Sequence, residues 1–286
     1  MQYATHALIA TTLLFTACGT PEPPAAEVPE PAPAQQDTLL AKYSVRPEHW
    51  GYTGDTGPAE WGKLHAAYAL CGNGQGQSPI DVNTAAANGD VTWEFNYGTS
   101  SLFMAHNEHV EDLLDNGHTI QLSVEEGSTL KVDGNTYGLK QFHFHTPSEH
   151  TVDGKHTPME MHMVHASADG KLAVVSILIE EGKANANFAK IIEHLPAAPG
   201  DTVAISDHKL VLDAHMPSKE KAYHYIGSLT TPPCSESVEW LVLADRIQLS
   251  PDQIKAFSSR LNNNNRPTQQ LNDRSVAKVE RVAQAN

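Results

Sequence analysis

The sequence predicts a mainly β protein with short helices, folded as a single domain. Three observations carry this expectation. Several runs between residues 119 and 249 are β-rich, and some alternate apolar and polar residues at the two-residue period of a half-buried strand. Turn dipeptides punctuate them, at Asn116-Gly117, Gly134-Asn135 and Asp169-Gly170. From Tyr43 onward no internal repeat and no second linker interrupts the pattern. A chain of 286 residues with 40% apolar content can build one sizeable core.

The elements follow in chain order. The opening MQYATHALIATTLLFTACGT reads as an export signal, because residues 7 to 17 are almost wholly apolar or small yet too few to span a bilayer well. No Lys or Arg precedes Lys42, so the usual basic leader is missing. Leu14-Phe15-Thr16-Ala17-Cys18 resembles a bacterial lipoprotein cleavage box, which makes Cys18 a lipidation candidate and would tether the protein to a membrane. Phe15 is an unusual occupant of its position; ordinary secretion and an unprocessed N-terminus are the alternatives. Residues 19–42 are rich in Pro, Ala and Glu, the composition of an extended, semi-rigid spacer. The domain is expected over 43–286, irregular at first (43–80).

Strands are expected in TIQLSVEE (119–126), TLKVDGNTYGLKQFHFH (129–145), MEMHMVHAS (159–167), LAVVSILIEEG (172–182) and VEWLVLADRIQL (238–249). Helices are few. NFAKIIEHL puts Phe188, Ile191, Ile192 and Leu195 on one helical face. SPDQIKAFSSRL opens with Ser250 as N-cap, Pro251 at the first helical position and Gln253 closing a capping box.

The charge balance is acidic, 19 − 34 = −15, which excludes nucleic-acid binding through a general electrostatic footprint. If Cys18 is lipidated, Cys71 and Cys234 remain as an even pair. In an oxidising compartment that suggests one disulfide, with two buried free thiols as the alternative.

The chemistry concentrates in QFHFHTPSEH, residues 141–150. On a strand, His143 and His145 share one face while Phe142 and Phe144 share the other. Imidazoles at that spacing can converge on one ion. MEMHMVHAS offers Glu160 and His162 on one face and Met159, Met161 and Met163 opposite, so His162 on a neighbouring strand can complete a three-histidine face. Gln141 and Glu160 are placed to hold the second nitrogens of the ligands. Three neutral imidazoles leave a zinc dipositive with an open position, which favours a bound, ionisable water; the absence of a Cys-x-x-Cys pair argues against a structural zinc site. Rival readings exist. His143-x-His145-x-x-x-Glu149 also resembles the first cupin motif, with Glu149 as a ligand, although the flanking glycines fit poorly. An amidohydrolase site would need repeated βα units.

HWGYTG, GQSPIDV, DNGHTIQL, QFHFH, SEHTVDG, MEMHMVHA and YIGSLTTPPCSESVEW, in this order, resemble an α-class carbonic anhydrase of the bacterial type across roughly residues 43–282. The resemblance implies a central, largely antiparallel twisted β-sheet and a lyase that reversibly hydrates carbon dioxide to bicarbonate and a proton. It implies one Zn2+ held by His143, His145 and His162, with zinc hydroxide as nucleophile. Thr230 would orient that hydroxide and donate to Glu149, which then is no ligand. His118 would be the proton shuttle. Val164, Val174, Leu229, Val238 and Trp240 would form the apolar substrate wall, with Thr231, Tyr52 and Gln121 as polar groups of the cleft. The Asn264 carbonyl would hold His145, and Cys71–Cys234 would be a disulfide anchoring the SLTTPP loop. The implied protein is exported, periplasmic or otherwise extracytoplasmic, and a monomer or homodimer. A non-enzymatic, adhesion-type relative would lack a ligand, and here all three are present. The stretch 101–118 looks longer than the family pattern and leaves His106, His109, Glu111 and Asp112 unassigned, as solvated surface or an auxiliary site.

Overall fold

The computed structural model describes residues 49–281 apart from 108–118, 218–220 and 262; at 102–107 and 204–208 only the backbone is described. The leader, Cys18, the Pro-rich run and residues 43–48 therefore lie outside the described residues. So do His109, Glu111, Asp112 and His118, and the side chain of His106. No described helix is long and apolar enough to cross a membrane.

Among the described residues, twelve strands form one sheet. Its main path begins at β10 (Thr202–Val211) and runs through β3 (Thr99–Asn107), β4 (Thr119–Val124), β6 (Asn135–His145), β8 (Met159–Ala166) and β9 (Leu172–Glu181). It continues through β12 (Glu236–Leu243) and β11 (Lys221–Ser228) to β14 (Ala277–Glu280). β5 (Thr129–Val132) pairs with β6 and with β2 (Trp93–Asn96), and β13 (Ile247–Leu249) pairs with β9. The sheet is largely antiparallel but mixed, since β9 meets β12 and β13 in parallel. A separate parallel pair joins β1 (Asp81–Val82) to β7 (Thr151–Val152).

The central strands are buried on both faces, and alternation divides their side chains between two cores. Phe142, Phe144, Met159, Met161, Met163, Val175, Ile177 and Leu241 pack on one side. Val164, Val174, Leu178, Val238, Trp240 and Val242 pack on the other. Each large apolar side chain so buried contributes on the order of 1.5–3 kcal/mol. This two-sided burial anchors β6 and β8 in a fixed register, in which His143 lies opposite His162 and His145 opposite Glu160.

The expected run 129–145 is a hairpin. Its turn is Asp133-Gly134, both with positive φ (45° and 78°), one residue earlier than the dipeptide singled out above. The expected helix over 187–195 is a 3₁₀ turn (Ala186–Phe188) leading into α3 (Ala189–Glu193), which buries Phe188 and Ile191. The longest helix, α4 (Pro251–Leu261), starts with the reciprocal pair expected of a capping box: Gln253 N donates to Ser250 Oγ at 3.3 Å, and Ser250 N donates to Gln253 Oε1 at 3.1 Å. The irregular opening holds two single-turn helices, α1 (Trp61–Leu64) and α2 (Leu70–Asn73). The first part of the stretch read as an insertion is a strand: Leu102–Asn107 of β3 lie in register with β4, and Leu102–Ala105 also with β10.

Cys71 and Cys234 form a disulfide with Cα atoms 5.1 Å apart. It sits among Trp50, Trp61 and Tyr68 and joins α2 to the loop after β11.

Candidate metal centre

Strand parity and register turn His143, His145 and His162 toward one point. Their ligand-capable nitrogens lie within 4.8 Å of one another, and all three rings are buried. Each ring is fixed through its other nitrogen. His143 Nδ1 lies 2.8 Å from Gln141 Oε1, His145 Nδ1 donates to the Asn264 carbonyl at 2.7 Å, and His162 Nε2 donates to Glu160 Oε1 at 2.7 Å. These bonds fix the tautomers and point His143 Nε2, His145 Nε2 and His162 Nδ1 inward.

Burial holds all three rings neutral. It pulls His143 well below the usual imidazole range, with His145 and His162 adding to the effect, and brings His145 to about 4. It also lowers His162, against the pull of Glu160. Neutral imidazole is the form that binds a metal.

Glu160 is the hub behind the site. Oε1 accepts from His162 Nε2, from His150 Nδ1 at 2.6 Å and from Ser176 Oγ at 2.6 Å; Oε2 accepts from the amides of Glu149 and His150 at 2.7 and 2.8 Å. Burial alone would raise this carboxyl, but His150 and His162 outweigh it and hold Glu160 well below its ordinary value. The ligand-capable atoms of His150, Glu160 and His162 also lie within 4.8 Å of one another. They are already joined by direct hydrogen bonds, so a proton rather than an ion fills each gap.

Glu149 is fully buried, and its Oε1 accepts from the Arg266 amide at 2.8 Å. Its Oε2 faces the centre, 3.6 Å from His145 Nε2 and 3.9 Å from His162 Nδ1. Burial pushes its pKa up to about 7, opposed by His162, the Arg266 amide and the Thr230 side chain. Two buried atoms at this spot, His145 Nε2 and Glu149 Oε2, have no hydrogen-bond partner in the protein. Fixed tautomers, neutral rings and an orphaned inward nitrogen fit a cation with nitrogen preference, zinc above all.

Around the trio, Val164, Val174, Val238 and Trp240 are buried, and Leu229 packs partly buried against them. Thr230 and Thr231 are buried, and the Thr231 carbonyl accepts from Cys234 N at 2.8 Å. Gln121 lies opposite His143 across β4 and β6. Tyr52 is half-buried, edge-on to Trp50 and Trp61.

Sequence reasoning missed His150, Tyr225, Ser176 and Arg266. His150 follows Glu149 directly but lies beyond the strand, where parity says nothing about direction. Ser176 lay in an expected strand and read as an ordinary sheet residue, while Tyr225 opens the quoted YIGSLTTPPCSESVEW run with no role assigned to it. The Arg266 guanidinium is almost fully buried on neutral acceptors, Gln77 Oε1, Ser78 O and Cys71 O, which only the folded chain brings together.

A mainly β fold whose paired central strands β6 and β8 aim three buried imidazoles at one point defines a protein with a three-histidine group able to hold a metal ion. Residues 56–280 match the family model described as eukaryotic-type carbonic anhydrase, and the chain belongs to that family. A carbonic anhydrase of Pectobacterium carotovorum is 41% identical over 229 residues, 80% of this chain and 90% of that protein. One from Nostoc sp. is 41% identical over 228 residues, 80% and 85% respectively. The alpha-carbonic anhydrase of Thermovibrio ammonificans, solved with the inhibitor sulfanilamide, has a TM-score of 0.72 at 37% identity, covering 80% of this chain and 99% of that one. The protein is thus an enzyme of the carbonic anhydrase family, which removes the cupin, amidohydrolase and adhesion readings.

Proposed function

We propose that the protein catalyses the reversible hydration of carbon dioxide to bicarbonate and a proton, with one zinc ion per chain held by His143, His145 and His162. The observation that carries this reading is the convergence of three buried neutral rings, each locked through its second nitrogen. Zinc held there supplies a water that ionises near neutral pH, about 7 for carbonic anhydrases as a class.

The chain does the rest. The Thr230 hydroxyl donates its proton to Glu149, and a dication held by the three histidines would favour the ionised carboxylate. The Thr230 oxygen then has only lone pairs to offer, so a donor must sit against it, and this orients the nucleophile. Val164, Val174, Leu229, Val238 and Trp240 exclude water and hold an apolar gas that gives no strong polar handle. Thr231, Tyr52 and Gln121 order the waters of the cleft. His118 carries the released proton to buffer, as an exposed imidazole can near neutral pH. Residues 1–18 are the export signal and 19–42 the spacer of an extracytoplasmic enzyme, with Cys18 as the lipid anchor and 43–286 as the working domain.

Stopped-flow hydration of carbon dioxide by the purified chain tests this reading. The expected result is hydration well above the uncatalysed rate, abolished by a chelator and restored by zinc. A zinc-loaded chain with no activity overturns it.

A further inference from the structure

Behind the metal-facing rings a line of buried hydrogen bonds continues past Glu160, and the direction of each can be assigned. The Ser228 hydroxyl donates to the Leu229 carbonyl at 2.7 Å and accepts from Ser78 N at 2.9 Å. The Ser228 amide donates to Ser78 Oγ at 3.0 Å. The Ser78 hydroxyl proton is then free for Tyr225 Oη, 2.9 Å away. Tyr225 Oη lies 2.7 Å from His150 Nε2, and His150 Nδ1 lies 2.6 Å from Glu160 Oε1. A bare ring nitrogen cannot face a carboxylate at that distance, so His150 Nδ1 carries the proton. Because Tyr225 Oη takes the Ser78 proton, its own proton points to His150 Nε2, which accepts it. Glu160 in turn takes the proton of His162 Nε2, which leaves Nδ1 as the lone-pair nitrogen on the metal side.

Packing supports the line at every joint. Ser78, Glu160, His150, Tyr225 and Ser228 are each at most 1% exposed. Tyr225 stacks on Trp240 at 6.0 Å and 11°, while Trp240 Nε1 donates to the Ser228 carbonyl at 3.0 Å. A Cβ at Gly227 would fall on Ser78 Oγ, so the close approach of the two segments requires glycine there.

We propose that Tyr225, backed by Ser78, is a positioning residue for the metal centre: its hydroxyl fixes the proton on His150 Nδ1, which keeps Glu160 aligned and His162 Nδ1 directed at the ion. The chain runs from a backbone amide at the end of β11 to His162 on β8. Ser228 is two residues before Thr230, so the same line also ties the ligand side of the site to the SLTTPP loop.

This inference rests on the zinc reading of the trio, and the test separates the two. Zinc-loaded full-length chain is mixed with excess chromophoric chelator, and the rate of zinc release is followed for wild type, Tyr225→Phe, Ser78→Ala and Tyr223→Phe. Tyr223 is the control, a buried tyrosine two residues earlier in the same strand and outside the line. Tyr225→Phe is expected to speed release about tenfold, the low end of what outer hydrogen-bond partners of metal ligands contribute. Ser78→Ala moves it the same way, and Tyr223→Phe leaves it unchanged. Release from Tyr225→Phe at the wild-type rate, or equal acceleration in Tyr223→Phe, overturns the proposal and leaves the zinc reading standing. A wild-type chain that holds no zinc overturns both.

Discussion

His165 shows how one residue can read like the ligands and do something else. It lies on β8 but on the opposite face from His162, among the phenylalanines and methionines. Its Nδ1 donates to the Ala173 carbonyl at 3.2 Å and its Nε2 accepts from the Tyr97 hydroxyl at 2.6 Å, which is the pattern of a neutral ring. Burial pulls its pKa from 6.5 to about 4, against hydrogen bonds to the Ala173 and Met163 carbonyls. Between those two values the unfolded chain binds the proton and the folded chain does not. Stability from this group is therefore complete above pH 6.5 and is lost as pH falls toward 4, at roughly 1.4 kcal/mol per pH unit. Urea unfolding at pH 7 and pH 5 should show His165→Gln losing about 2 kcal/mol less over that interval than wild type; parallel losses would rule the assignment out. The parity that separates His165 from His162 was legible in the sequence. The Tyr97 partner was not, because it arrives from just after β2 across 68 residues.

At the scale of elements, α4 is held by more than its own cap. Gln253 Oε1 accepts from Ser250 N and, at 2.8 Å, from Asn185 N, while Nε2 donates to the Asn185 carbonyl at 2.8 Å. Ser250 makes only the local half of the box. Ser250→Ala should cost about 1 kcal/mol, and Gln253→Ala more, since it also strips two buried-side partners from Asn185; thermal unfolding of the two variants gives the ranking directly. The cap was visible in the sequence as S-P-D-Q, but its link to Asn185 was not. The same boundary divides the strands. Those with strong alternation or long apolar runs, β4, β6, β8, β9 and β12, were legible. The unanticipated strands β2, β3, β10, β11 and β14 owe their assignment to neighbours rather than to their own pattern. β3 is the clearest case, for Ser-Leu-Phe-Met-Ala-His-Asn has no clean two-residue period and is fixed by β4 and β10 on either side.

At the scale of the whole molecule, the Cys71–Cys234 bridge spans a sequence separation of 163 and staples the opening segment to the loop that carries Thr230. A loop that long corresponds to about 5 kcal/mol in the chain-entropy model. The Cys71→Ser/Cys234→Ser double variant is expected to lose about 2–5 kcal/mol in urea unfolding, and an unchanged midpoint would show that the bridge contributes nothing to the native state. Most of the inner site was legible because its three histidines sit on two paired strands with a fixed parity. What holds them was less so: Asn264 entered only through the family resemblance, and Arg266 not at all. That division has a consequence in time. The three imidazoles lie within 162 − 143 + 1 = 20 residues, whereas the carbonyl that locks His145 comes 264 − 145 = 119 residues later. A chain threading out N-terminus first presents all three rings, and the partners of His143 and His162, long before the carbonyl that locks His145. The last of the three locks is thus acquired only when the C-terminal segment closes, and a nascent chain halted short of residue 264 would carry the His145 ring without it.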